Sequence, residues 1–185
     1  TKGRDLIPGR GEGFGNFGTG FGFGASRMKE QRWDMYLPLE GEYRIALDEL
    51  LTGENAALGE LFRKMLLGDV GDDNSDAIDD DHAELFDWSS FTSDPGAARQ
   101  PVHPDNRFQP EPPLLTAFVA LQDITLDMGP TIFLPQTHTA LAHDQFNGGE
   151  DAKDQLLSTC GYEYATLSKG DAAVFDPRCL HCGGA

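Results

Sequence analysis

The chain has 185 residues, enough for one domain with a sizeable core, and 39% of them are apolar. Lys and Arg total 14 against 31 Asp and Glu, a formal net charge of −17. A surface that acidic repels phosphate backbones and anionic lipid, which argues against a nucleic-acid partner, and no apolar run is long enough to insert into a membrane.

Three cysteines, Cys160, Cys179 and Cys182, do not make a disulfide framework and point to a reducing compartment, cytoplasm or organelle. The sequence opens on Thr1, with neither a methionine nor a visible signal peptide, as a processed chain or a fragment would. Residues 1–31 read as a flexible Gly/Phe-rich arm, built around "GRGEGFGNFGTGFGFG" at 9–24. GxGxxG matches occur there, but no strand precedes them and no apolar helix follows, so a phosphate-cradling loop is not expected. An aromatic arm that adheres to a partner is the other reading.

Residues 32–185 read as a single domain. "RWDMYLPL" (32–39) places Trp33, Met35, Leu37 and Leu39 at period two, as in an edge strand closed by Pro38. The period then becomes helical from Glu42 to Leu67. Tyr43, Ala46, Leu47 and Leu50 form one apolar face, and Leu58, Leu61, Phe62, Met65 and Leu66 a second after the break "TGEN". The acidic run 68–81 reads as a solvated loop; it has the carboxylates of a calcium loop without their register.

Strand-like stretches follow. "AELFDWSSFTS" (83–93) mixes aromatic and small polar residues, and "PLLTAFVALQDI" (113–124) is apolar on both faces, as a covered central strand would be. "TIFLP" (131–135), "YEYATL" (162–167), "GDAAVFDP" (170–177) and "CLHC" (179–182) add more strand, and "THTALAHDQF" starts a short helix capped by Thr137 or Thr139. Helices first and short strands later predict an α+β or mainly β domain.

The residues that carry chemistry begin in "QPVHPDNRF". Side chains two apart on extended backbone share a face, so His103 and Asp105 project together, and Pro104 puts them at a strand end or edge. His181, after an apolar strand and a tight turn, is a candidate third ligand. Two imidazoles and a carboxylate on one face of a metal leave positions open for oxygen and a co-substrate, the arrangement of non-haem Fe(II) oxygenases. Cys179 and Cys182 flank His181 as C-x2-C, but only Cys160 remains to complete a zinc site, and buried reduced thiols are the simpler reading. His138 reads as a structural hydrogen-bonding residue behind its turn, and His82 as solvated.

"VHPD", "LLTAFVALQDITLDMGPTIFLPQTHT" and "GDAAVFDPRCLHCGGA", in that order, resemble the phytanoyl-CoA dioxygenase family of Fe(II)/2-oxoglutarate oxygenases. The resemblance runs from about Trp33, and strongly from Ser93, to the last residue. It implies a mainly β domain with flanking helices, a double-stranded β-helix (jelly-roll, cupin-like). Iron would be held by His103, Asp105 and His181, with 2-oxoglutarate chelating the metal and a small-molecule or acyl substrate at the barrel mouth. The chemistry implied is oxidative decarboxylation of 2-oxoglutarate to succinate and CO2, coupled to hydroxylation of a C–H bond. Thr116 and Phe118 share a strand face that approaches the co-substrate, and Trp33 lies in a stretch the family places near it, although packing is the commoner fate of such a residue.

The family carries an arginine on a strand shortly after the second histidine, where it forks onto the far carboxylate of 2-oxoglutarate. This sequence ends at Ala185, before that strand, and carries Gly183 where the family often has a polar residue. The expectation is a fragment of a longer chain; the alternative is a protein partner covering the open C-terminal edge. A rival reading is a catalytically inactive copy serving as a structural subunit of a larger assembly. A metal hydrolase on a cupin-like barrel is a third, without an identifiable further ligand or general base.

Overall fold

In a computed structural model of the chain, the described residues are 26–29, 31–54, 56–67, 84–110 and 114–185. The glycine–phenylalanine stretch 9–24, the acidic run 68–81 and His82 lie outside them. The described residues divide into two compact units, one ending at Ser93 and the other running from Asp94 to Ala185.

The first unit holds a three-stranded antiparallel sheet in the order β1 (Ser26–Lys29), β2 (Arg32–Tyr36), β3 (Ser89–Ser93). β1 falls inside the stretch read as an arm; it pairs with β2 from Ser26↔Met35 to Lys29↔Arg32. β2 is therefore the middle strand, not the expected edge. Pro38 stands beyond its end, so every N–H from Arg32 to Tyr36 is free for a ladder. Arg32 is buried and its Nη1 donates to Ser93 Oγ at 2.6 Å.

Two helices follow β2, α1 (Gly41–Thr52) and α2 (Ala57–Leu67), with the turn where the sequence places it. Gly59 makes their close approach feasible, because a Cβ there would fall 1.8 Å from the Leu51 carbonyl oxygen. Leu47 is the buried residue of α1, while Tyr43, Leu61, Met65 and Leu66 of the expected apolar faces are exposed. On the outer surfaces Arg44 pairs with Asp48 at 2.8 Å and Lys64 with Glu60 at 2.9 Å, both at i,i+4 spacing.

The second unit has two small antiparallel sheets. β4 (Thr116–Val119) pairs with β7 (Ala172–Phe175), and β5 (Thr131–Phe133) lies between β6 (Glu163–Tyr164) and β8 (His181–Gly183). The described part of the 113–124 stretch, residues 114–124, does not form one covered central strand. Four of them make the β4 ladder, Ala120 N–H turns to the Asp171 carbonyl, and Ile124 makes a single bridge to Leu167. Double-faced apolarity here reflects two short pairings in succession.

Between β5 and β6 run α3 (Ala140–Asn147) and α4 (Glu150–Thr159). Thr139 caps α3, its Oγ1 accepting from Ala142 N–H at 3.3 Å. α4 escapes the sequence reading because "EDAKDQLLST" buries only Leu156. Leu156, Leu134, Ala142 and Leu180 form the core, with Val102, Phe146, Leu157 and Cys160 packed against it. Gly129 ends a 3-10 turn (Leu126–Met128) at φ 65°, where a Cβ would meet the Ala185 carbonyl at 2.8 Å. Among the described residues the architecture is thus small antiparallel sheets with four helices, and the helices hold more residues than the strands. Among the described residues the strands do not close into a barrel, and no helix is long and apolar enough to cross a membrane.

Candidate metal centre

The second unit brings His103, Asp105 and His181 together. One ligand atom from each lies within 4.8 Å of the others, and this is the one such His/Cys/Asp/Glu cluster among the described residues. Backbone pairing does the assembling. His103 and His181 exchange both N–H···O=C bonds at 2.9 Å, an isolated antiparallel bridge that holds the imidazoles 4.8 Å apart between ring centroids. Two residues on, the N–H groups of Asp105 and Asn106 both donate to the Pro177 carbonyl, at 2.9 and 3.1 Å, which turns the Asp105 carboxylate toward the rings.

His181 is fixed from behind. Thr137 Oγ1 donates to the Leu134 carbonyl at 2.6 Å and accepts from Leu180 N–H at 2.8 Å. Thr137, one of the two expected helix caps, is instead a buried pin on the strand that carries the second histidine.

Each histidine donates its Nδ1–H to a backbone carbonyl, His103 to Pro101 at 2.8 Å and His181 to Cys179 at 2.9 Å. A carbonyl can only accept, so Nδ1 carries a proton, and in the neutral imidazole the Nε2 lone pair then faces Asp105. The Nε2 atoms stand 3.8 Å (His103) and 3.5 Å (His181) from the carboxylate oxygens, too far for good hydrogen bonds. Burial pushes the His181 pKa below its ordinary value, outweighing the opposite pull of the Asp105 charge, and so favours the neutral, ligating form. Three acceptors converge with no donor between them, which suits a cation. Two imidazoles and one carboxylate fit Fe(II) in kind and number. His181 is 6% exposed, His103 33% and Asp105 27%, so the cluster is reachable on one side.

An aromatic wall backs the cluster. Phe175 lies 5.2 Å and Phe133 5.8 Å from the His181 ring, Phe133 meets Phe175 at 4.8 Å, and Phe118 meets Phe175 at 5.1 Å. Thr116 is paired directly with Phe175, so Thr116, Phe118 and Phe175 share one face of the β4–β7 ladder. Trp33 lies in the other unit, half-buried in β2 and opposite Thr92. Sequence reasoning missed Phe133 and Phe175. Their proximity depends on the register Phe133↔His181 and Thr116↔Phe175, which no local pattern encodes.

The cysteines do not join the cluster. Cys179 donates to the Leu134 carbonyl at 3.2 Å and burial pushes its thiol pKa up, away from the thiolate that zinc requires. Cys182 is buried opposite Ile132. His138 lies near Asp176, and His143 is buried with Nε2 2.7 Å from the Arg178 carbonyl.

No curated protein and no solved structure matches the chain significantly. The sequence model of the phytanoyl-CoA dioxygenase family matches residues 40–185, well over half of the chain and all of the candidate centre. The chain belongs to the phytanoyl-CoA dioxygenase family, whose members in general are Fe(II)/2-oxoglutarate-type oxygenases.

Proposed function

We propose that this chain is an Fe(II)/2-oxoglutarate-dependent dioxygenase on a jelly-roll scaffold, hydroxylating a small-molecule or acyl substrate. The observation that carries the reading is the convergence of His103 Nε2, His181 Nε2 and the Asp105 carboxylate, with both Nδ1 protons already committed to carbonyls. When bound, Fe(II) chelated by 2-oxoglutarate supplies the chemistry that couples decarboxylation to C–H hydroxylation.

The chain's own residues do the rest. His103, Asp105 and His181 hold the metal on one face and leave its other positions free. Phe175, Phe133 and Phe118 keep water from the flank behind His181, which strengthens electrostatic interactions at the centre. Thr116 and Phe118 lie on the face proposed to meet the co-substrate. The acidic surface favours small-molecule substrates over nucleic acid.

The test is an anaerobic titration of Fe(II) and 2-oxoglutarate that follows the metal-to-ligand charge-transfer band. The expected result is a band in the parent chain and none in His181→Ala. A folded parent without the band would refute the dioxygenase reading and favour a structural subunit of the same fold.

A further inference from the structure

One buried side chain joins the segment that carries His103 and Asp105 to the turn that precedes His181. Arg178, 5% exposed, donates from Nε to both carboxylate oxygens of Asp176 at 3.0 Å and from Nη2 to Oδ2. Its Nη1 reaches the carbonyl oxygens of Gln109 and Pro110, the second at 3.3 Å. The backbone of the same residue is held as well. Its N–H donates to Asp176 Oδ1 at 2.9 Å, and its carbonyl is the partner of His143 Nε2. Phe108 lies 5.9 Å from the guanidinium carbon and 5.9 Å from the His143 ring.

Each guanidinium nitrogen thereby has a partner within the protein, and its charge is balanced by Asp176. Segment 103–110 is gripped at two points, by the Pro177 carbonyl at Asp105 and Asn106 and by Arg178 at Gln109 and Pro110. The carboxylate ligand sits at the first of those grips, and the second holds the chain that leaves it.

Building on the metal-centre reading, we propose that Arg178 is a positioning residue, whose fork on Asp176 and on the 109–110 carbonyls sets the spacing between Asp105 and the two imidazoles. A lysine keeps the charge but presents a single point of donors, which cannot grip a carboxylate and two carbonyls at once.

The test uses Co(II), an air-stable stand-in for Fe(II), titrated calorimetrically into the whole chain while its d–d absorption is recorded. The parent, Arg178→Lys and Asp176→Asn are compared, with far-ultraviolet circular dichroism of each metal-free protein as the control for folding. Outer partners of metal ligands typically govern affinity by about 10- to 100-fold, so both variants are expected to bind Co(II) at least about tenfold more weakly, with a displaced d–d band. Parent-like affinity and spectrum in a folded variant would overturn the proposal. Should Arg178→Lys fail to fold, Asp176→Asn carries the comparison, since it keeps the guanidinium and loosens only its anchor. A parent chain that itself binds no Co(II) refutes the metal-centre reading instead, a result distinct from equal binding across the series.

Discussion

The two units use their apolar residues in opposite ways. From Asp94 onward, Leu180, Pro177 and Cys182 are completely buried, and they occupy the very segment that delivers His181. Up to Ser93, Leu47 is the one buried apolar residue among those described, while Ile45 is 63% and Met65 52% exposed. Hydrogen bonding divides less sharply, because buried Arg32 also ties to distant Ser93 in the first unit. Buried Thr137, His143 and Arg178 each tie residues distant in sequence, whereas the helices of the first unit rely on i,i+4 ion pairs that are worth a few tenths of a kcal/mol apiece. Packing and polar satisfaction are concentrated where three side chains must be held within a narrow tolerance.

The sharpest way to break this contrast is to delete equivalent apolar volume in each unit. Leu180→Ala is expected to cost about 2–5 kcal/mol in urea denaturation, and Met65→Ala less than about 0.5 kcal/mol. Equal costs would abolish the distinction. A smaller effect tests whether the second unit also depends on local signals. Thr139→Ala removes the α3 cap and is expected to cost about 1 kcal/mol by the same assay, with no change meaning that packing alone holds the helix.

The smallest effect is electrostatic and lies in the first unit. Burial raises the Asp34 pKa above its ordinary 3.8, against the lowering action of a hydrogen bond from Ser89. A carboxyl that holds its proton more tightly when folded loses stability as pH rises through that window, so ionised Asp34 is a cost at neutral pH. Asp34→Asn should therefore raise the denaturation midpoint at pH 7, by an amount that shrinks to nothing below pH 3.8. A gain that grows with acidity would show the opposite sign and remove Asp34 from the account.

How much could be read in advance follows the range of each interaction. The α1–α2 pair and the Thr139 cap are local, set within a few residues by apolar period and side-chain chemistry, and they were legible. So were the three clustered side chains, because H-x-D and the later histidine sit in a recognisable order. The middle position of β2 depends on Ser26–Lys29, in a stretch whose glycine content argues against strand. The Phe133↔His181 register and the reach of Arg178 to Gln109 link positions far apart in the chain, and neither leaves a local trace. Arg178 in particular reads as an ordinary surface arginine in "DPRCLH" until its burial is known.

The His103–His181 bridge has a consequence for how such a centre can change over time. It closes a long excursion of chain that contains α3, α4 and four strands, β4 to β7, yet the two histidines meet through their own backbone bonds. Closing a flexible loop costs entropy that rises only with the logarithm of its length, about 0.6 kcal/mol for each doubling. Residues inserted at the exposed Gly148–Glu150 junction therefore tax the bridge very little. The excursion can be lengthened at that junction while the imidazoles stay paired, so the backbone geometry of the cluster is insulated from changes in chain length there.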